Sequence, residues 1–473
     1  MTGITLEHLS RLKLGELLDG YRKLDIDPVE IMDVTLAQVD AVNGQINALY
    51  DVRREAALEE AGLAAQRYRN GRPRGLLDGV PVTIKDSVHA VGMTWHHGSS
   101  IHGDGVVGKV DAPPTERLKS HGAVIIAKCT MPDFGLSGSG VSSYHGIVRN
   151  PWGLDWNPGG SSAGAGASLA AGIGMMSVGS DIAGSVRLPA SHCGLAALKP
   201  TQGMIPHTPA SDVRSAGPMT RHAADLELLL RALGGVHRDD RFSVPVTDNA
   251  DSLSSARVAV YRDFGFGPAV EPAVLAVLDH AMRALEPLVG SVEAHAAPYD
   301  FDAYAPIDDT FKLRGWREHA SVAPQRRAAT PGQLLDWFAE AEHWDASRIA
   351  LFEAGVARGV AQTNRLMDDA EFLLTPVMPV VNFAAEERGP DRSVPLRHCT
   401  FTAMFNQSGH PAVSIRGGFD ARGLPVGVQL VARRFDDVRL CRLAAALEAR
   451  LASIAGAAEN WPLTPRKLAE AAT

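Results

Sequence analysis

The sequence predicts an α/β protein, one large domain in which helices cover a β-sheet. Three observations carry this prediction. Short β-branched segments alternate with helical stretches, as at 80–84 (VPVTI) and 124–128 (VIIAK), with a helix starting near Pro113 between them. The 473 residues are 45% hydrophobic and 21% charged, which is enough apolar material for a large core. No linker, internal repeat or low-complexity stretch divides the chain, so a single domain over 1–473 is the simpler reading.

The elements follow in order. Residues 1–70 read as N-terminal helices: Leu12, Leu14, Leu17, Leu18 and Tyr21 recur at helical spacing, as do Ile31, Val34, Leu36 and Val39. Asp27-Pro28 reads as an N-cap followed by proline at the first helical position. Residues 71–235 form the segment that holds the candidate chemistry, and within it 164–176 reads as a buried helix of small residues. A short helix is expected over 223–233, a strand over 256–261 (ARVAVY) and a helix over 270–285. Residues 290–345, with Trp316, Trp337, Phe338 and Trp344, read as helices and loops covering the substrate pocket. The closing segment, 370–455, supplies strands at 372–376, 412–415 and 426–431 and a last helix over 438–452.

Composition excludes several classes of function. A net charge of −8 gives no reason to expect nucleic acid or an anionic membrane as a partner. Cys129, Cys193, Cys399 and Cys441 stand far apart with no C-x-x-C pair, which argues against a zinc site or a disulfide framework and fits a reducing cytoplasm. The start, MTGITLEHLSRLKLGELL, is amphipathic and carries acids, with no basic start followed by an apolar core, so it does not read as a signal peptide. No apolar stretch approaches the roughly 20 residues of a membrane span. Among the 17 histidines, His89, His96 and His97 invite a metal reading, but no i, i+4 pair with a matching carboxylate supports one.

The chemistry concentrates between Gly159 and Pro189, in GGSSAGAGASLAAGIGMMSVGSDIAGSVRLP. This stretch holds two serine sites, Ser161/Ser162 in GGSSAG and Ser185 in DIAGSVR. Glycines beside a serine let backbone N–H groups converge on one point, which suits an oxyanion. A nucleophile-elbow reading of G-S-S-A-G fails because WGLDWNP, ending in Pro158, is no core strand. A dinucleotide reading fails because no strand leads in, and a phosphate-loop reading because no Gly-Lys-Ser/Thr follows. Lys85 adds a base: it closes a buried strand, and desolvation favours the neutral amine.

With these residues in hand, the chain resembles the amidase signature family. The resemblance rests on GVPVTIKDS around Lys85, on the GGSSAGAG…GSDIAGSVRLPAS block and on FNQSGHPAVSI…GLPVGVQLVARRF, with the two serine sites 24 residues apart. It implies a central, mixed, twisted sheet with helices on both faces. It also implies a cofactor-free Ser–cis-Ser–Lys triad: Ser185 as nucleophile, Ser161 as the bridging serine after a cis peptide bond, and Lys85 as base. The backbone N–H groups of Ile182, Ala183, Gly184 and Ser185 match the oxyanion hole, and Ser162, Asp181 and Arg187 match positions that support the loops. The segment MPDFGLSGSGVSS resembles a substrate-lining stretch, placing Gly135, Leu136 and Ser137 at the pocket together with Leu188.

Three positions depart from the family pattern. Ala183 stands where glycine is usual, and Arg416 where proline is more familiar. Leu188 occupies the place of an arginine that holds a carboxylate in the branch acting on malonate-type half-amides. A neutral, aryl or bulky amide or a carbamate is therefore the expected substrate, acted on by a monomer or homodimer. Two alternatives stay open. One is a glutamine-hydrolysing amidotransferase subunit passing ammonia to a partner, against which Ile182, Ala183 and Leu188 argue. The other is a catalytically inactive scaffold.

Overall fold

The parallel strands that begin the sheet owe their place to near-continuous apolar runs, which only a sheet buried on both faces tolerates. In the computed structural model, which describes residues 4–249, 251–455 and 462, eleven strands form one mixed sheet. Its spatial order is Leu49–Tyr50, Val124–Cys129, Pro81–Lys85, Met176–Asp181, Ser215–Thr220, Ala196–Lys199, Ala412–Phe419, Pro425–Ala432, Phe372–Pro376, Arg257–Tyr261 and Ser291–His295. Pro81–Lys85 runs parallel to both its neighbours, and Arg257–Tyr261 to both of its own; the strands between them pair antiparallel.

The period-2 alternation of the later strands divides the interior. Phe372, Leu374, Val413 and Leu430 face the main core, which also takes in the N-terminal helices and the helices Pro272–Leu285 and Asp437–Ala455. Leu373, Ala412 and Val431 face a second apolar cluster, built with Phe311, Leu334, Trp337 and Phe338 from the helices Ala305–Ser321 and Gly332–Phe338. Helices therefore cover both faces of one α/β domain.

The N-terminal helices start and stop as their residues dictate. Pro28–Ile46 opens on Asp27, whose side chain accepts from the Val29 N–H at 2.8 Å, with Pro28 at the first position. In the core segment, Ala163–Ala170 is helical and wholly buried, but it ends six residues before the expected Met176. The chain there turns into the strand Met176–Asp181, because its small residues fit between two paired strands as well as inside a helix. The small residues of that helix serve close approach: a β-carbon at Gly164 would collide with Ala48 O and lie 2.7 Å from Thr130 N. The strands Ala196–Lys199, Ser215–Thr220 and Ser291–His295 were not legible in the sequence.

Candidate active site

Two parallel strands end side by side and set the site. Ile84 is in register with Val178, so Lys85, at the end of Pro81–Lys85, reaches the end of Met176–Asp181. Ligand sites in α/β sheets form at such carboxyl ends. Lys85 is 1% exposed, and its Nζ lies 2.7 Å from Ser161 Oγ and 3.2 Å from Ser180 Oγ. Burial pushes its ammonium down from 10.5 to about 7; Asp181 opposes that shift, and Arg214 and Arg314 add to it. The amine is therefore about half neutral near pH 7.

Ser161 follows a cis peptide bond with Gly160 and precedes the helix Ala163–Ala170. Ser185 stands in the turn between Met176–Asp181 and the helix Arg187–Cys193. The two serine loops are stitched together: Ser162 N–H donates to Ser185 O at 3.0 Å, and Ser162 Oγ–H to Ser180 O at 3.4 Å. Lys85, Ser161 and Ser185 line one narrow cavity.

A buried ion pair holds the Ser185 turn. Arg187 grips Asp181 through two hydrogen bonds of 2.9 and 3.0 Å, and both side chains are fully buried. The same guanidinium donates to Gln429 Oε1 at 2.7 Å, Asn406 Oδ1 at 2.6 Å and Thr402 O at 3.1 Å. Burial alone would raise the Asp181 carboxyl, but Arg187, Asn406 and the Val186 N–H hold it well below the usual carboxylate range. Asp181 then accepts from Gly184 N–H at 2.7 Å and Val186 N–H at 3.1 Å, fixing the backbone on either side of Ser185. Gly184 takes φ +122, a conformation that leaves a β-carbon no room against Thr402 and Leu188. Ala183 keeps an ordinary negative φ, so its methyl group is accommodated.

These contacts distinguish the four N–H groups expected at the oxyanion hole. The Gly184 N–H is committed to Asp181, whereas those of Ile182, Ala183 and Ser185 find no acceptor among the described residues. The expected pocket residues divide likewise. Gly135 lines the cavity, its ideal β-carbon position 3.3 Å from Ser161 Oγ. Leu136 and Leu188 are buried in the second apolar cluster behind it, and Ser137 is bonded to Ser139 Oγ at 3.0 Å. Arg416 sits in a strand opposite Gly427, its guanidinium 5.4 Å from the centre of the Phe419 ring.

A model of the Amidase family matches residues 30–441. The chain belongs to the amidase signature family. Among curated relatives of these enzymes it is 33% identical to a glutamyl-tRNA(Gln) amidotransferase subunit from Anaeromyxobacter sp. (strain K), over 94% of this chain and 97% of that protein. It is 31% identical to an acylamidase of Rhodococcus erythropolis, again over 94% and 97%. Among solved structures, 6-aminohexanoate cyclic dimer hydrolase superposes with a TM-score of 0.82 at 26% identity, covering 94% of this chain and 97% of that one.

Sequence reasoning missed several residues of this amidase signature site. Ser180, the second partner of Lys85, was hidden as the ordinary residue before Asp181. Arg214 and Arg314 also line the cavity, as does His97, which the sequence offered only as a metal candidate. Arg314 comes from the covering helix Ala305–Ser321, whose sequence carries no motif, so only packing reveals it. His97, His102 and Glu318 each place a possible ligand atom within 4.8 Å of the others, brought together from two segments that no local spacing connects. Glu318 Oε1 is in hydrogen-bond contact with His97 Nδ1 and lies 3.3 Å from His102 Nε2. Burial would raise its carboxyl, but His97 and His102 overcome that and hold it below its ordinary value.

Proposed function

We propose that this enzyme hydrolyses an amide or carbamate C–N bond through an acyl-enzyme on Ser185. The observation that carries the reading is a buried lysine, shifted to about 7, bonded at 2.7 Å to a serine that shares a cavity with a second serine. Neutral Lys85 draws the proton of Ser161 as Ser161 takes that of Ser185, whose Oγ attacks the substrate carbonyl. The unpaired N–H groups of Ile182, Ala183 and Ser185 receive the oxyanion. Protonated Lys85 returns the proton through Ser161 to the leaving nitrogen, the C–N bond breaks and the amine departs. Water then enters, gives its proton along the same relay and releases the acid, restoring Ser185. Asp181, Arg187 and Ser162 position the loops and touch no reacting atom.

The test is hydrolysis of a 4-nitroanilide and a matched O-alkyl N-(4-nitrophenyl)carbamate, each releasing 4-nitroaniline on C–N cleavage, by wild type, Ser185→Ala and Lys85→Ala. Turnover by wild type that is lost in both variants supports the triad, and the preference within the pair sorts acylamidase from carbamate hydrolase. Turnover that survives Ser185→Ala would overturn it.

The relation to a glutamyl-tRNA(Gln) amidotransferase favours a second reading, glutamine hydrolysis with ammonia passed to a partner. Glutamine-dependent ammonia release that rises when a co-purified partner protein is restored would establish it.

A further inference from the structure

Two arginines in the cavity lack the partners that such groups ordinarily require. Arg214 and Arg314 line the same cavity as Lys85, Ser161 and Ser185. Both side chains are partly buried, and a guanidinium drawn away from bulk water is normally paired, because desolvating the charge without a counter-ion is costly. Arg314 forms no hydrogen bond or ion pair among the described residues. Arg214 spends one nitrogen on Pro209 O at 2.8 Å and leaves its buried Nε without an acceptor. Among the described residues, no carboxylate oxygen lies within 4.0 Å of either guanidinium.

The nearby acids are committed elsewhere. Glu318, one helical turn beyond Arg314, is bound to His97 and His102. Asp240, whose charge reaches Arg214, accepts from His207 N–H at 3.0 Å and Phe242 N–H at 2.9 Å. Asp181 is bound to Arg187. Among the described residues no acidic side chain lines the cavity, and Lys85 adds a third cationic group whenever it is protonated. The two arginines come from different elements: Arg214 leads into the strand Ser215–Thr220, and Arg314 belongs to the covering helix Ala305–Ser321. Two planar forks that line one cavity suit a planar anion, which guanidinium recognises through paired N–H donors.

We infer that the substrate carries a carboxylate, on its acyl or its amine half, held by Arg214 and Arg314 beside the bond that is cleaved. The inference rests on the proposed reading of the cavity as the amidase site. It reverses the expectation of a neutral substrate, which depended on Leu188. That side chain lies in the apolar cluster behind the cavity and does not report on the cavity's charge.

The experiment compares two substrate series with wild type, Arg214→Gln and Arg314→Gln. In one, the acyl half of a 4-nitroanilide ends in a carboxylate or its methyl ester, with chain length varied. In the other, the leaving group is 4-aminobenzoate or its methyl ester. The expected result is that one series favours the acid in kcat/KM by roughly ten- to a hundred-fold, the range of a charge-assisted hydrogen bond, and that either substitution removes most of this preference through KM. Which series responds identifies the half that carries the anion. Equal cleavage of acids and esters in both series, or a preference that survives both substitutions, would overturn the inference.

Calorimetry with the free ω-carboxylates and with 4-aminobenzoate decides the matter even if no substrate turns over. Binding that is lost in both variants supports the anion site, and no binding in wild type overturns it. Uptake of a fluorophosphonate by Ser185 is scored separately. Its failure counts against the acyl-enzyme reading and leaves the calorimetric result to stand.

Discussion

The pH dependence of turnover follows from the burial of Lys85. An ordinary lysine, at 10.5, would be neutral in only about one molecule in 3,000 at pH 7. At about 7, the value set chiefly by burial, roughly half the molecules hold the free amine, a gain on the order of a thousand-fold in competent base. The reactive form is the unprotonated one, so kcat/KM on a neutral nitroanilide should fall about ten-fold for each pH unit below 7 and level off above it. Asp181 opposes the shift, while Arg214 and Arg314 reinforce it. Arg214→Gln removes one of those cations, so the acid limb should move to higher pH. The assay is kcat/KM measured from about pH 5 to 9 for wild type and Arg214→Gln, with folding checked at each pH by circular dichroism. A profile flat down to pH 5.5, or a limb that moves to lower pH in Arg214→Gln, would refute the assignment of the limb to Lys85.

Three further perturbations address the support of the site. Arg187→Met strands the buried Asp181 carboxylate and should cost about 3–5 kcal/mol in urea unfolding, with part of the loss recovered when Asp181→Asn is added. A double variant no more stable than Arg187→Met would show that the pair is not the cause. Gly184→Ala drives a methyl group against Thr402 and Leu188 at φ +122; it should destabilise by more than about 1 kcal/mol and slow fluorophosphonate uptake by Ser185. Asn157 Oδ1 accepts from the N–H groups of Gly140 and Gly159, and its Nδ2 donates to Ala385 O and Glu387 O. Asn157→Ala should therefore cost about 1–3 kcal/mol for each buried group left unpaired, read as a lowered midpoint in thermal unfolding.

The parts legible in the sequence share a physical basis. Lys85, Ser161 and Ser185 stand in local patterns whose chemistry is written within a few residues, and Asp27-Pro28 announced a helix start that the structure contains. The strands at 81–85, 124–129 and 257–261 declare themselves by β-branched runs. The strands at 176–181, 196–199 and 215–220 do not, because GMMSVGSD, AALK and SAGPMT are built of small residues that suit a crowded interior in any conformation. The commitment of the Gly184 N–H was hidden for another reason. An N–H donor's direction depends on φ and ψ, and the residue name shows only that glycine permits many. Arg214 and Arg314 were unreadable because they are 100 residues apart and meet only through the packing of a covering helix over the sheet.

The Asp181–Arg187 clasp also bears on when in its synthesis the protein becomes an enzyme. The proposed nucleophile Ser185 and its proposed base Lys85 lie in the first half of the chain, yet the clasp is closed by Thr402, Asn406 and Gln429, more than 200 residues later. A nascent chain that has not yet exposed Thr402 carries Ser185 on a turn whose buried charges lack three of their partners. Hydrolytic competence is therefore expected to arrive only with the last strands of the sheet, set by the order of translation.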